Sequence, residues 1–221
     1  VTMMSQFGEA LVLSAPDLSA QPLLAESWAP NADGTVWTFK LRQNVKFHNG
    51  ALMTAKDVKY SIDRIIKPET KSGRRPLLAP VFESASTPDD YTVVMQLKKP
   101  DGAFLNKVAG FLAIVPKEYT ESLPSPEAFA QAPIGAGPFK FVERIAQQKI
   151  VFERFDQYWD KGRIHLQQVV FQPINDTTVR TANLLSGGLE MVERLQPTDL
   201  KQLKADKRVK LATSTALAYS T

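Results

Sequence analysis

Along residues 35–41 apolar and polar positions alternate, with Trp37, Phe39 and Leu41 on one face and Val36, Thr38 and Lys40 on the other. A period of two is what a strand with one buried face requires. Ala32-Asp33-Gly34 turns the chain into this strand, and a second short run, Val45 to Phe47, stops at Asn49-Gly50, a dipeptide that favours positive φ and a tight turn. The period then lengthens. Val58, Ile62 and Ile65 recur at helical spacing, Thr54 stands ahead of Asp57 as a capping-box variant, and Pro68 ends the helix. The pattern predicts a unit of strand, turn, strand and helix.

Residues 69–80 have no period and carry Gly73, Pro76 and Pro80, which predicts a surface loop. A further alternating strand is expected over 87–97, with Tyr91, Val93, Met95 and Leu97 on one side and a turn at Asp89-Asp90. A short helix followed by a strand around Ala113 to Val115 comes next, and residues 116–134, with four prolines, read as a connection holding a weak helical stretch. Pro133-Ile134-Gly135-Ala136-Gly137-Pro138-Phe139 is expected to bend sharply. After it, 139–145 and 149–155 form a hairpin across 146–148. The remainder predicts a strand near Val169 to Gln172 and a helix from Asp176 to Gly187-Gly188. Then follow a strand over Leu189 to Val192, a short helix from Thr198 and a strand from Val209. Strands alternating with helices make this a mixed α/β chain.

The 221 residues are 43% hydrophobic and 23% charged, which supports a packed core rather than disorder. A formal charge of +4 is spread along the chain without a basic tract, which argues against nucleic acid as a partner. No window is apolar for long enough to span a membrane, and the N-terminus lacks the basic start of a signal peptide. Any leader is therefore expected to lie outside this chain. With no Cys, disulfides, thiolate metal sites and Cys nucleophiles are excluded.

Other chemistry is equally sparse. His48 and His165 are the only histidines and neither stands in a metal-ligand spacing, so neither metal nor cofactor is expected. The Gly135-Ala136-Gly137 run is followed by Pro138 where a phosphate loop would open a helix with free N–H groups. A structural turn is the better reading. Glu190 and Glu193 are the one carboxylate pair that a hydrolase could use, but in a strand they face opposite sides.

Residues 22–65, "PLLAESWAPNADGTVWTFKLRQNVKFHNGALMTAKDVKYSIDRI", resemble the signature region of the extracytoplasmic solute-binding proteins that serve peptide, nickel and related ABC importers. The resemblance continues, in the family's order, through "TPDDYTVVMQLKKPDGAFL", "PIGAGPFKFVE", "ERFDQYWD" and "RTANLLSGGLEMV". It implies a type II periplasmic-binding-protein-like lobe: residues 1–20 start the N-terminal lobe, 21–132 form an inserted β-rich α+β subdomain, and 133–221 continue the lobe. Members are much longer than this chain, so the second lobe is expected to be absent and binding by this part alone to be weak. Asn49 replaces the Asp of the family's F-H-D-G element and tolerates the same turn.

The implied function is a monomeric receptor without catalytic residues. It captures a peptide or other small solute by closing two lobes and delivers it to the membrane permease of an ABC importer in the periplasm or another extracytoplasmic space. The resemblance nominates Glu193, Arg194 and Leu195, after "SGGLE", as pocket residues. It adds Thr215, Ala216, Leu217 and Tyr219 from the closing strand, with Met3, Met4 and Phe7 from the N-terminal side. Arg194 suits a carboxylate and Glu193 an amine. Two alternatives stay open: an interaction or chaperone-like protein on the same fold, and a hydrolase using the paired carboxylates.

Overall fold

The computed structural model describes residues 4–15, 17 and 19–212. They pack as two units, one made of residues 1–146 and 150–171, the other of 147–149 and 172 onward.

In the first unit a short helix, α1 (Met4–Phe7), leads into an antiparallel pair, β1 (Val12–Ser14) and β2 (Ala20–Pro22). The main sheet is antiparallel. It comprises β3 (Ala25–Pro30), β4 (Val36–Leu41), β5 (Phe82–Asp89) and β6 (Thr92–Leu97), in the order β3-β4-β6-β5. Helix α2 (Ala55–Ile66) packs on β5 and β6. Phe39, Leu41, Val93, Met95 and Leu97 of the sheet share one core with Val58 and Ile62 of α2 and with Phe47 and Met53 from the loop between them. The alternating positions therefore face inward as expected, with Phe39 opposite Val93 and Trp37 opposite Met95 across the ladder.

Of the strands that the pattern did not predict, two escaped it for the same reason. Both β3 and β5 carry register shifts, between Ala25 and Ser27 in the first and around Ser84 to Asp89 in the second, and a bulge breaks the period of two on which strand recognition rests. The run at Val45 to Phe47 makes only a single bridge, Lys46 with Leu52. The strand expected at Ala113 to Val115 is not formed. Those residues form no regular element after α4 (Phe104–Phe111), and backbone N–H groups there go elsewhere: Ile114 donates to the Glu9 carbonyl at 2.9 Å and Val115 to Ser61 Oγ at 2.9 Å. Residues 69–80, expected as loop, include a helical turn, α3 (Arg75–Leu78), because Leu78 is buried and anchors it. The Pro-rich connection holds α5 (Lys117–Ser122) and α6 (Ala128–Gln131).

The cap of α2 has a second use. The backbone N–H and hydroxyl of Thr54 both donate to Asp57 Oδ2, at 2.9 and 3.1 Å, while Lys117 N–H donates to Oδ1 at 2.9 Å. One buried carboxylate thus starts the helix and pins the distant α5 to it. Asp57→Ala is expected to cost about 2–3 kcal/mol, more than an ordinary cap, because it orphans donors on two segments. Urea denaturation of the variant checks this.

The second sheet is β7 (Phe139–Ile145), β8 (Lys149–Arg154) and β9 (Gln168–Phe171), in chain order. Phe7 stacks on Phe152 at 6.1 Å and shares a small core with Phe139. Between the sheets the chain bends at 136–138, as expected, but neither Gly135 nor Gly137 has a positive φ. They make room: a Cβ on Gly135 would lie 2.0 Å from the Phe7 carbonyl oxygen, and one on Gly137 would lie 2.7 Å from that of Gln6. The Gly137 N–H donates to the Phe7 carbonyl at 2.9 Å, and His48 clamps the other side. His48 Nδ1 accepts from Gly135 N–H at 3.3 Å, which leaves the proton on Nε2 to donate to the Gly137 carbonyl at 2.9 Å.

In the second unit, α7 (Thr177–Ser186) starts at Asp176, whose side chain accepts from Val179 N–H, and ends at Gly187 with φ +80°. Helix α8 (Leu200–Ala205) follows. The strands expected at Leu189 to Val192 and from Val209 are not formed among the described residues, because neither segment has a neighbouring strand to pair with there. No helix of the described residues is long and apolar enough to cross a membrane.

Candidate ligand-binding cleft

The C-terminus of α7 and the irregular segment after it form one wall of a cleft of about 1110 Å³. Its construction begins with the αL cap: Gly187 turns the chain, and the N–H groups of Gly188 and Leu189 both donate to the Asn183 carbonyl, at 2.8 and 3.2 Å. The chain then runs back irregularly as Glu190, Met191, Val192, Glu193, Arg194 and Leu195. Arg180 braces this run. Its guanidinium donates to the Ile174 and Asn175 carbonyls at 2.6 and 3.1 Å on one side and to the Arg194 carbonyl at 3.4 Å on the other. Arg194 itself sits at φ +57°, a left-handed conformation that a non-glycine residue holds only where its surroundings enforce it. Buried Thr181 donates to Asp199 Oδ2 at 3.0 Å, tying α7 to the turn before α8.

The lining is apolar inside and charged at the edge. Leu184, Leu189, Val192, Leu195, Leu200 and Val209 supply the apolar surface, while Glu190, Glu193, Arg194, Arg208 and Lys210 bring both signs of charge. Arg208 is held in a two-pronged pair with Asp206, at 2.6 and 3.0 Å. Those hydrogen bonds keep the Asp206 carboxyl down at about 2. Among the described residues, the Arg194 guanidinium has no carboxylate partner, and Met191 is 73% exposed. Such a surface can hold an amphipathic or zwitterionic molecule by apolar contact and paired charges. Among the described residues its lining has no His, Cys or Tyr, and the one hydroxyl there, on Ser186, donates to the Asn183 carbonyl.

Of the residues nominated from sequence, Glu193, Arg194 and Leu195 come together on this cleft. Phe7 belongs to the other unit, where its ring is buried against Phe139 and Phe152. Met4 opens α1, and Met3, Thr215, Ala216, Leu217 and Tyr219 lie outside the described residues. Arg180, Arg208 and Lys210 were missed. Arg180 could have been found from the helix period, which puts it on the same side of α7 as Leu184.

The description "Bacterial extracellular solute-binding proteins, family 5 Middle" matches residues 19–221. The chain belongs to this family. Among curated relatives, Heme-binding protein A of Haemophilus influenzae is 33% identical over 211 residues, covering 86% of this chain and 38% of that protein. Oligopeptide-binding protein AppA of Bacillus subtilis is 32% identical over 207 residues, covering 91% and 38%. Among solved structures, the binding protein AgaA from A. tumefaciens R10, in complex with agropinic acid, superposes with a TM-score of 0.86 at 32% identity, covering 93% of this chain and 41% of that one. The chain thus spans about 40% of the length of these relatives. All three are named as binding proteins, and their ligands differ. The mixed α/β fold is the one that family 5 structures share.

Proposed function

We propose that the protein to which this chain belongs is the solute receptor of an ABC importer. It works outside the cytoplasmic membrane, takes up a peptide or peptide-like solute between two lobes and presents it to a permease, without catalysing a reaction. The observation that carries the reading is the cleft beside Glu193, Arg194 and Leu195: apolar within, edged by both charge signs and, among the described residues, free of any nucleophile paired with a base. A peptide offers the matching features, an apolar body with a carboxylate at one end and an amine at the other. Family membership supports the receptor role, and the diversity of the relatives' named ligands makes the solute class the finer part of the proposal. Residues 21–132 are proposed as the inserted subdomain, with 1–20 and 133–221 as parts of the ligand-binding lobe.

The test is a charge removal at the cleft. In the whole protein, Arg194→Ala is expected to weaken tripeptide binding, read by titration calorimetry, by tenfold or more, about 1.4 kcal/mol. Lys204→Ala, outside the lining residues, is expected to leave it unchanged. Equal affinities in wild type and Arg194→Ala contradict the assignment of the cleft.

A further inference from the structure

Residues 6–12 form a strap through the first unit whose backbone is tied on several sides. The Phe7 carbonyl accepts from Gly137, the Glu9 carbonyl from Ile114, and those of Ala10 and Leu11 from Leu24 and Ala25. In its middle the side chain of Glu9, only 6% exposed, reaches into the first unit. Tyr158 Oη is hydrogen-bonded to Oε1, and Trp159 Nε1–H donates to Oε2 at 2.9 Å.

Neither partner is a cation. The positive group that acts on it, Arg42, is occupied elsewhere: its Nε donates to the Leu23 carbonyl at 2.6 Å, its Nη1 lies 3.6 Å from Glu26, and its guanidinium stacks over the Trp159 ring at 4.3 Å. The other charged neighbours are Asp160, which repels a carboxylate, and Arg163, which faces Tyr158 and sits 3.6 Å from Asp160. A carboxyl buried without a cation favours its neutral form.

We propose that Glu9 is a proton-operated tie, holding the N-terminal strap in place when neutral and releasing it when ionised. In the neutral form the carboxyl holds one proton while the Tyr158 hydroxyl and Trp159 Nε1–H remain bonded to its two oxygens. Loss of that proton leaves a buried carboxylate with two neutral donors. Burial is the main cause that pushes this group up to about 7, opposed by the Trp159 and Tyr158 hydrogen bonds. Opening the strap returns the carboxyl to water and to its ordinary acidity, so opening becomes easier as pH rises from 4.5 through 7. The device does not depend on which solute the protein binds.

Amide hydrogen exchange on the whole protein tests it. After correction for intrinsic exchange, protection of the Ile114 and Gly137 amides, which bond to the strap, is expected to fall roughly 50-fold between pH 5 and pH 8. Amides of β4 and β6 should fall less. In Glu9→Gln, a carboxamide that cannot ionise, strap protection should show no fall over that range. Should this variant fail to fold, carbon-13 titration of the Glu9 carboxyl in the wild-type protein decides the matter, with a midpoint near 7 expected. A midpoint near the ordinary glutamate value overturns the proposal. So do strap protection that is flat with pH in the wild type, the same pH dependence in Glu9→Gln, or a fall shared equally by the β4 and β6 amides.

Discussion

Alanine at Gly135 or Gly137 is expected to lower stability by at least ~3 kcal/mol, about 6–12 °C in melting temperature for a chain of this size. The obstacle is backbone on both sides. A methyl group at Gly135 would overlap the Phe7 carbonyl oxygen, at 2.0 Å, and one at Gly137 would press on the Gln6 and Phe7 carbonyls from 2.7 and 2.9 Å. A side chain could rotate away, but the strap cannot retreat without giving up its bonds from Gly137 and Ile114 and unstacking Phe7 from Phe152. Gly73 and Gly162, where an added Cβ would meet nothing within 4 Å, are the controls, and alanine there should change stability by no more than about 0.5 kcal/mol. Thermal unfolding of the four variants reads the difference. Losses below 1 kcal/mol at Gly135 and Gly137 would mean that the strap yields.

A second large effect is hidden in the wild-type protein and appears only in variants. Burial is the main cause that holds the His48 ring down at about 4, against the Gly137 hydrogen bond that favours the charged form and with Lys140 adding to the depression. In the unfolded chain the ring takes up its proton near 6.5. Its stabilising contribution is therefore complete above pH 6.5 and is lost as pH falls toward 4. Glu9 behaves in the opposite sense: raised to about 7, its contribution is complete below 4.5 and is lost as pH rises toward 7. Between pH 4.5 and 6.5 the two slopes have opposite signs and similar size, so wild-type stability should be nearly flat. In Glu9→Gln the His48 slope stands alone, and stability should drop by about 3 kcal/mol from pH 6.5 to pH 4. In His48→Gln the Glu9 slope stands alone, with a fall of about 3 kcal/mol from pH 4.5 to pH 7. Urea midpoints across this range check both signs. Parallel slopes in the two variants would contradict the assignment.

What could be read from the chain was what depends on near neighbours. The alternation through Trp37, Phe39 and Leu41, the Thr54 and Asp57 cap, the Asp176 start and the Gly187 stop are local relations, and each appears in the structure at the residues that signal it. The two bulged strands were illegible because a bulge removes the period itself. At Gly135 and Gly137 the expected bend forms, but what makes glycine necessary there was not legible. Their partner is the Phe7 backbone, far away in sequence, and a conformational glycine and a crowded one look alike in a string of letters. Glu9 was not recognised at all, since a lone acid in "GEALVL" carries no local sign that Tyr158 and Trp159 will enclose it.

For the cleft, Glu193 to Leu195 followed from family resemblance rather than from any pattern of their own. Glu190 and Glu193 had been weighed as a strand pair, yet the segment is irregular, held by Arg180 and by the left-handed turn at Arg194. Arg208 and Lys210 approach from beyond α8, a return of the chain that no short-range signal announces.

The receptor reading is tested most directly by thermal shift of the whole protein against tripeptides, glutathione, a nickel–histidine chelate, heme and an opine. A solute that binds the folded state at a hundred times its dissociation constant stabilises by about 2.7 kcal/mol. The expected result is a rise in melting temperature with the tripeptides or glutathione, and a rise roughly half as large with the same solutes for the Arg194→Ala variant. No shift with any of these solutes would contradict the assignment of the protein as their receptor.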